Sequence, residues 1–268
     1  MDWSNIIDKP QIIAVEKDYL IVYKPPRMHS APMAKSIDNT LLKWTIEKFP
    51  EIAVLPGRKA GEGGLLHRLD YETQGLVLIA RSLHGMDVLL GQQREGKITK
   101  GYSAFAAESN AALPGFPLLK PELPPSVLSG NNEFSEPFWI RSAFRPFGPG
   151  RKTVRPVLFE TKPGENLLKR YDTEILKFQP ISQGVVSLSL RISKGFRHQI
   201  RCHLAWLLLP ILNDSVYGGA THGNGILALR ADSLIFSDPS TGQERSYSIP
   251  PINSEQLEVR SEKLTVRS

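Results

Sequence analysis

The stretch Leu65–Arg81, LLHRLDYETQGLVLIAR, joins two segments of opposite physical character. Its second part, Leu76 to Ala80, is an unbroken apolar run that includes Val77 and Ile79, and it reads as a buried strand. Its first part sets His67, Arg68, Asp70, Tyr71, Glu72, Thr73 and Gln74 directly ahead of that strand, where a loop can present them to a cleft. Holding charges against a core is costly unless they are paired or used. Residue types alone favour the plainer reading, in which Asp70 caps a turn and Arg68 pairs with a surface acid.

On the N-terminal side, Ile12 to Tyr23 reads as two short extended runs around a polar turn at Glu16, Lys17 and Asp18, stopped by Pro25 and Pro26. Asp38 or Asn39 is placed to cap a helix carrying Leu42, Ile46 and Phe49 on one face, ended by Pro50. A glycine-rich stretch, 57–64, leads into the quoted segment. On the C-terminal side, Ser82 is an N-cap for a helix with an apolar stripe of Leu83, Met86 and Leu90, and Gly96 is its C-terminal cap before a strand over 97–107. Residues 110–137 hold six prolines among Gly, Ser and Asn, the composition of a long surface excursion. A basic loop with Arg141, Arg145, Arg151, Lys152 and Arg155 follows, interleaved with Phe144 and Phe147. It is either a solvated loop or an arm that contacts phosphates and stacks on bases. Val186, Leu188, Leu190 and Ile192 alternate with Ser187, Ser189 and Arg191, the period of a half-buried strand. A helix over 198–209 and one or two strands over 226–236 complete the chain. Many strands, few helices and no regular alternation of the two predict an α+β domain on a mostly antiparallel sheet, a single unit over 1–268.

The 268 residues are 41% hydrophobic, enough for a sizeable core, and Lys plus Arg exceed Asp plus Glu by 33 to 27. The excess favours an anionic partner but does not establish one. One cysteine, Cys202, excludes an intramolecular disulfide and fits a reducing compartment, so a cytoplasmic location is expected. No signal-peptide core stands near the start. The longest apolar run, 206–212, contains Pro210 and is too short to span a bilayer, so no membrane segment is expected. The six histidines are scattered, and His198 and His203, five apart, do not share a helical face, so no metal site is expected. GxGxxG after a strand, GxxxxGK[ST] and GxSxG are all missing, which removes the physical anchors of dinucleotide, nucleoside-triphosphate and hydrolase readings.

The segment LLHRLDYETQGLVLIAR resembles the HRLD motif of the RluA family of RNA pseudouridine synthases. The resemblance continues in order through KPPRMHSAP near Lys24 and ITKGYSAF around Tyr102. It then runs through KGFRHQIRCHLA over 194–205, followed by Pro210, Ile211, Asp214, Tyr217 and Gly218, and through LALRADSLIFSDPSTG over 227–242. It implies a pseudouridine synthase fold: a mixed, largely antiparallel sheet with flanking helices and a central RNA-binding cleft, with no room for an N-terminal S4-like module. It implies Asp70 as the essential carboxylate, Tyr102 lying against the target base and Arg201 pairing with the aspartate. It implies Arg68 as the residue inserted into RNA as the uridine leaves its stack. His67, Arg197, His198 and Gln199 fall inside the same motifs and are expected, with Arg145, Arg151 and Lys152, to contact RNA.

The implied reaction breaks the bond between N1 and the ribose, turns the base and rejoins it through C5, with no redox change, so no cofactor is expected. An aspartate is ordinarily ionised at neutral pH and serves as nucleophile or base without activation. The expected partner is structured RNA, ribosomal or transfer, bound by a monomer that flips the uridine out of its stack. Several positions depart from the resemblance. Arg27 stands where glycine is usual, Gln74 for serine, Phe196 for arginine, Leu208 and Asn213 where glycines turn the chain, and Asp238 for histidine. Two other classes of function compete: a catalytically silent RNA-binding or RNA-chaperone protein on the same scaffold, and a small-molecule lyase or hydrolase using Asp70 as base.

Overall fold

The computed structural model describes residues 8–32, 39–57, 61–110, 112–117, 133–158, 169–182 and 184–253. Its centre is one ten-stranded sheet. In chain order the strands are β1 (Gln11–Val15), β2 (Tyr19–Lys24), β3 (Gln74–Ala80), β4 (Thr99–Ala107), β5 (Glu133–Phe147), β6 (Thr153–Val157), β7 (Tyr171–Ser182), β8 (Val185–Ile192), β9 (Leu229–Ser237) and β10 (Glu244–Ser248). The order across the sheet is β1-β2-β3-β9-β4-β8-β7-β5-β6, with β10 on β9. Among the described pairs only β3 with β9 is parallel. Among the described residues three helices flank it: α1 (Leu41–Ile46), α2 (Leu83–Glu95) and α3 (Gln199–Trp206). The α+β expectation holds.

Burial explains the two kinds of strand. β2 and β3 are buried along their whole length, because each face meets its own core. Leu20, Val22, Val77 and Ile79 join a large cluster with α1 and α3, while Tyr19, Ile21, Tyr23, Leu76 and Leu78 pack against Met86 and Leu89 of α2. A strand covered on both faces needs no polar alternation. β8 keeps its alternation, with Val186, Leu188, Leu190 and Ile192 inward.

The parallel contact between β3 and β9 is two residue pairs long, Gln74 with Arg230 and Gly75 with Ala231. Gly75 has φ +132°, and a Cβ there would lie 2.1 Å from the Ala231 carbonyl oxygen. Only glycine permits this approach, and it seats the loop that precedes β3 over the middle of the sheet. The opposite edge of β9 pairs with β4, where a register shift between Gly101 and Tyr102 has the form of a bulge, a device that re-aims a side chain.

Several local expectations are corrected. Thr40 caps α1 by accepting from the Lys43 amide at 3.2 Å; Asn39 does not, and Asp38 lies outside the described residues. Phe49 is not on α1 but precedes a 3₁₀ turn, Pro50–Val54, that proline initiates. Ser82 and Gly96 cap α2 as expected, but Leu83 is exposed, and Met86, Leu89 and Gln92 form the buried face. α3 ends before Leu209 because Leu208 turns the chain with φ +61°. The basic loop is the β5–β6 hairpin, closed by a 3₁₀ turn at Pro149–Arg151. Of the proline-rich excursion, residues 111 and 118–132 lie outside the described residues, and its last part is already β5.

Candidate active site

Asp70 lies between Leu69 and β3 on a loop held from three sides. The Ser30 hydroxyl accepts from the Leu69 amide at 3.0 Å and donates to the Leu69 carbonyl at 2.8 Å. The Thr73 amide donates to the Asp70 carbonyl at 3.1 Å. Lys24, the last residue of β2, is fully buried, and its Nζ donates to the carbonyls of Pro25, Met28 and Tyr71. Burial pulls the Lys24 pKa down to about 7, against the opposing charges of Asp70 and Glu72. The carboxylate of Asp70 is a quarter exposed and opens into a cleft of about 1050 Å³.

The other wall comes from α3 and the loop before it. Arg201, 4% exposed, places Nη1 3.5 Å from Asp70 Oδ2. Its stronger partner is Asp214, whose two oxygens accept from Nε and Nη2, each at 2.7 Å. Asp214 also accepts from the amides of Val216 and Tyr217. Burial alone would lower the Arg201 pKa, but Asp214, and after it Asp70, raise it. The guanidinium is therefore a fixed cation with one arm turned to Asp70. His198 adopts φ +56° ahead of α3. Its Nε2 lies 3.9 Å from Asp70 Oδ1, and its Nδ1 is 3.2 Å from the Tyr217 hydroxyl. Burial holds its pKa below the ordinary 6.5, outweighing the attraction of Asp70. Tyr102, on β4 beside the bulge, lines the same cleft and is 7% exposed. Burial, with smaller contributions from Asp70 and Asp232, pushes its phenol well above the ordinary value.

Asp70 is the single acid among the cleft-lining residues, which include seven Lys and Arg side chains. Such a cleft has the charge to collect a polyanion and one carboxylate to act on it. Among the described residues no group of three or more His, Cys, Asp or Glu side chains is placed to hold a metal ion.

A match to the RNA pseudouridylate synthase family model covers residues 18–206. The chain belongs to this family. The ribosomal large subunit pseudouridine synthase D of Vibrio parahaemolyticus is 26% identical over 260 residues, covering 91% of this chain and 68% of the relative. The protein of the same name from Haemophilus ducreyi is 26% identical over 208 residues, covering 78% of this chain and 52% of the relative. The chain thus spans between about half and two thirds of the length of these relatives. The fold is shared with human RNA pseudouridylate synthase domain containing 1, at TM-score 0.59 and 20% identity over 91% of this chain and 84% of that one. It is also shared with human RNA pseudouridylate synthase domain containing 4, at 0.54 and 17% over 90% and 88%.

The geometry sorts the residues singled out from the pseudouridine synthase motifs. Asp70, Tyr102, Arg201, Arg68 and His198 share the cleft. Arg68 is half exposed, with Nη1 3.3 Å from Glu62. Two of the expected RNA contacts border the cleft but are buried and hydrogen-bonded within the protein. His67 is buried, and its Nε2 accepts from the Leu78 amide at 3.0 Å, so it pins β3 to the loop. Gln199 is 2% exposed; its amide donates to the Asp172 carbonyl and Thr173, and its oxygen accepts from the Phe196 amide. Arg197 borders the cleft but donates to the carbonyls of Arg151 and Thr153, fastening the hairpin to this loop. Arg145, Arg151 and Lys152 are exposed on that hairpin and do not line the cleft; Arg145 donates to the Gly115 carbonyl. Arg155 is buried against Phe116, Phe147 and Tyr217, so it packs the hairpin and is not free for phosphate.

Sequence reasoning gave Asp214 and Lys24 no role beyond their motifs. The signal for Lys24 was its place at the end of the apolar run YLIVYK, where a charge has no solvent. Asp214 offered no local signal, because its partner stands thirteen residues away on a helix.

Proposed function

We propose that this protein converts uridine to pseudouridine in ribosomal RNA, with Asp70 meeting the ribose of an extruded nucleotide. The observation that carries the reading is a lone carboxylate, oriented by one arm of a guanidinium otherwise committed to Asp214, in a cleft lined by basic side chains. Asp70 acts as nucleophile at C1′ or as base on a neighbouring ribose proton; either route uses the same oxygen atoms. Tyr102 supplies a flat wall for the freed uracil while it turns. Arg201 holds the Asp70 carboxylate in place from 3.5 Å. Arg68 fills the gap left when the base leaves its stack, offsetting an unstacking cost of about a few kcal/mol. Rejoining through C5 releases the C5 proton while N1 gains one, so the base isomerises without a cofactor. The enzyme on this reading is a cytoplasmic monomer.

Large-subunit ribosomal RNA is favoured as substrate by the names of the relatives. The test is tritium release from in vitro transcripts of large-subunit ribosomal RNA labelled at uracil C5, with transfer RNA transcripts in parallel. Wild-type protein is expected to release tritium from the ribosomal transcript, and Asp70→Asn to bind it while releasing at least about 10³-fold more slowly. Equal rates for the two proteins remove Asp70 from the chemistry. Binding without release by the wild type would leave a silent RNA-binding scaffold.

A further inference from the structure

The cleft carries an aromatic group that the reaction chemistry does not use. Phe196 lines the cleft and is partly exposed. It stacks on Phe144, with ring centroids 5.1 Å apart and planes inclined by 5°, and meets Tyr171 at 5.0 Å and 52°. Phe144 and Tyr171 are themselves 5.8 Å apart, so the three rings form one aromatic cluster. Phe144 rests in turn on the buried His203 at 4.9 Å. The backbone of Phe196 is fixed by Gln199, whose side-chain oxygen accepts from the Phe196 amide and whose backbone N–H donates to the Phe196 carbonyl. A ring so held loses little freedom on contact with a ligand. Two cations border it: Lys169, with Nζ 5.4 Å from the Tyr171 ring centre, and Lys194 in the cleft lining.

We propose that Phe196, backed by Phe144 and Tyr171, is a stacking platform for the base of a nucleotide flanking the target uridine. The placement follows from the chain: His198, whose ring lies 3.9 Å from Asp70, is two residues along, so the two Cα atoms are within about 7 Å. Arg197 does not restore the arginine that the sequence resemblance leads one to expect at 196, because it is bound to the hairpin carbonyls. The flanking nucleotide is therefore recognised by its ring face, an interaction that tolerates base identity and is little affected by salt.

The inference rests on the assignment of RNA as substrate, and binding is measured separately from turnover. The probe is an in vitro transcript of large-subunit ribosomal RNA, titrated at several salt concentrations in the Asp70→Asn background, with kcat and KM measured in the Asp70 protein. Phe196→Leu, which keeps apolar bulk without a π face, is expected to weaken binding about ten-fold and raise KM alike. Its kcat should stay within about two-fold and its salt slope unchanged. Phe196→Trp should bind as well as the original, and Phe196→Arg should recover affinity with a salt slope steeper by about 0.7. Absence of turnover by every protein, with this binding pattern intact, would remove the isomerase reading and leave the platform standing. Unchanged binding in Phe196→Leu overturns the platform. So does loss of kcat and melting temperature with KM unmoved, the result of a purely packing role.

Discussion

Two aspartates on loops beside the sheet, the buried Asp18 and the partly exposed Asp70, have opposite surroundings. Asp18, in the turn between β1 and β2, accepts from the hydroxyls of Ser82 and Ser240 and joins the start of α2 to the turn between β9 and β10. Next to it Asp238 accepts from the amides of Ser240 and Thr241 and from the Tyr19 hydroxyl. Burial would raise the Asp18 pKa, but the two hydroxyls hold it below the ordinary value. Asp70 has its neighbours at ion-pair range, Arg201 at 3.5 Å and His198 at 3.9 Å. A carboxylate saturated with short hydrogen bonds is a fastener. One held by charge at longer range keeps lone pairs for an incoming ribose.

The sharpest test of this contrast exchanges the two roles. Asp70→Ala is expected to lower kcat by about 10⁴-fold in tritium release, with a melting temperature within a few degrees of the original. Asp18→Ala orphans two hydroxyls and is expected to lose about 2–3 kcal/mol in urea unfolding while the folded fraction turns over normally. A large stability loss from Asp70→Ala would place both residues in the same structural class.

Arg201 bridges the two kinds of site, since its bond to Asp214 is closed and its contact with Asp70 is open. Arg201→Lys keeps the charge but not the fork. Loss of one of the two 2.7 Å bonds is expected to cost about 2 kcal/mol of stability and to reduce kcat about 100-fold, through the loosened Asp70. If kcat falls while stability is unchanged, the Asp214 pair is not what holds the guanidinium.

His203 belongs to the closed class: its ring nitrogens lie 2.8 Å from Thr173 Oγ1 and 2.9 Å from Ser142 Oγ. Burial pulls its pKa down to about 3. Below pH 6.5 the unfolded chain therefore takes up a proton that the folded protein refuses. The stability it contributes is complete above pH 6.5 and is lost as pH falls toward about 3, by up to roughly 1.4 kcal/mol per pH unit. His203→Gln should flatten the dependence of melting temperature on pH between 6.5 and 4. Parallel curves for the two proteins would show that the imidazole is not the group being titrated.

The strands were legible in the sequence wherever burial left a pattern: the apolar runs of β2 and β3, the alternation of β8, and the caps Ser82 and Gly96. The cleft was legible through Asp70, Tyr102 and Arg201, which lie inside quoted motifs. What was not legible depended on distant partners. A basic side chain near an aromatic reads the same whether it meets phosphate, one of the two readings open for the Arg155 loop, or packs under a hairpin, as Arg155 does. Gln199 and His67 look polar and available, and only the packing around them shows that backbone groups have taken their hydrogen bonds. Asp238, without meaning in the sequence, is explained by the turn whose amides it caps.

The smallest effect separates backbone strain from packing at two positions where the sequence resemblance leads one to expect glycine. Arg27 has φ +57° and Leu208 has φ +61°, a region that costs a residue with a Cβ roughly 1–2 kcal/mol. The Arg27 side chain is 57% exposed, with one long contact to Glu72 at 3.9 Å and one to the Gly225 carbonyl at 3.4 Å, so it returns little. Arg27→Gly is therefore expected to raise stability by about 0.5–1 kcal/mol after the added freedom of the unfolded chain is deducted. Leu208 is partly buried, and Leu208→Gly sacrifices that packing as it relieves the same strain, so its net change should be zero or negative. Both are read from the denaturant midpoint at constant m-value. Equal shifts for the two variants would mean that backbone conformation alone decides the outcome and that the side chain of Leu208 contributes nothing.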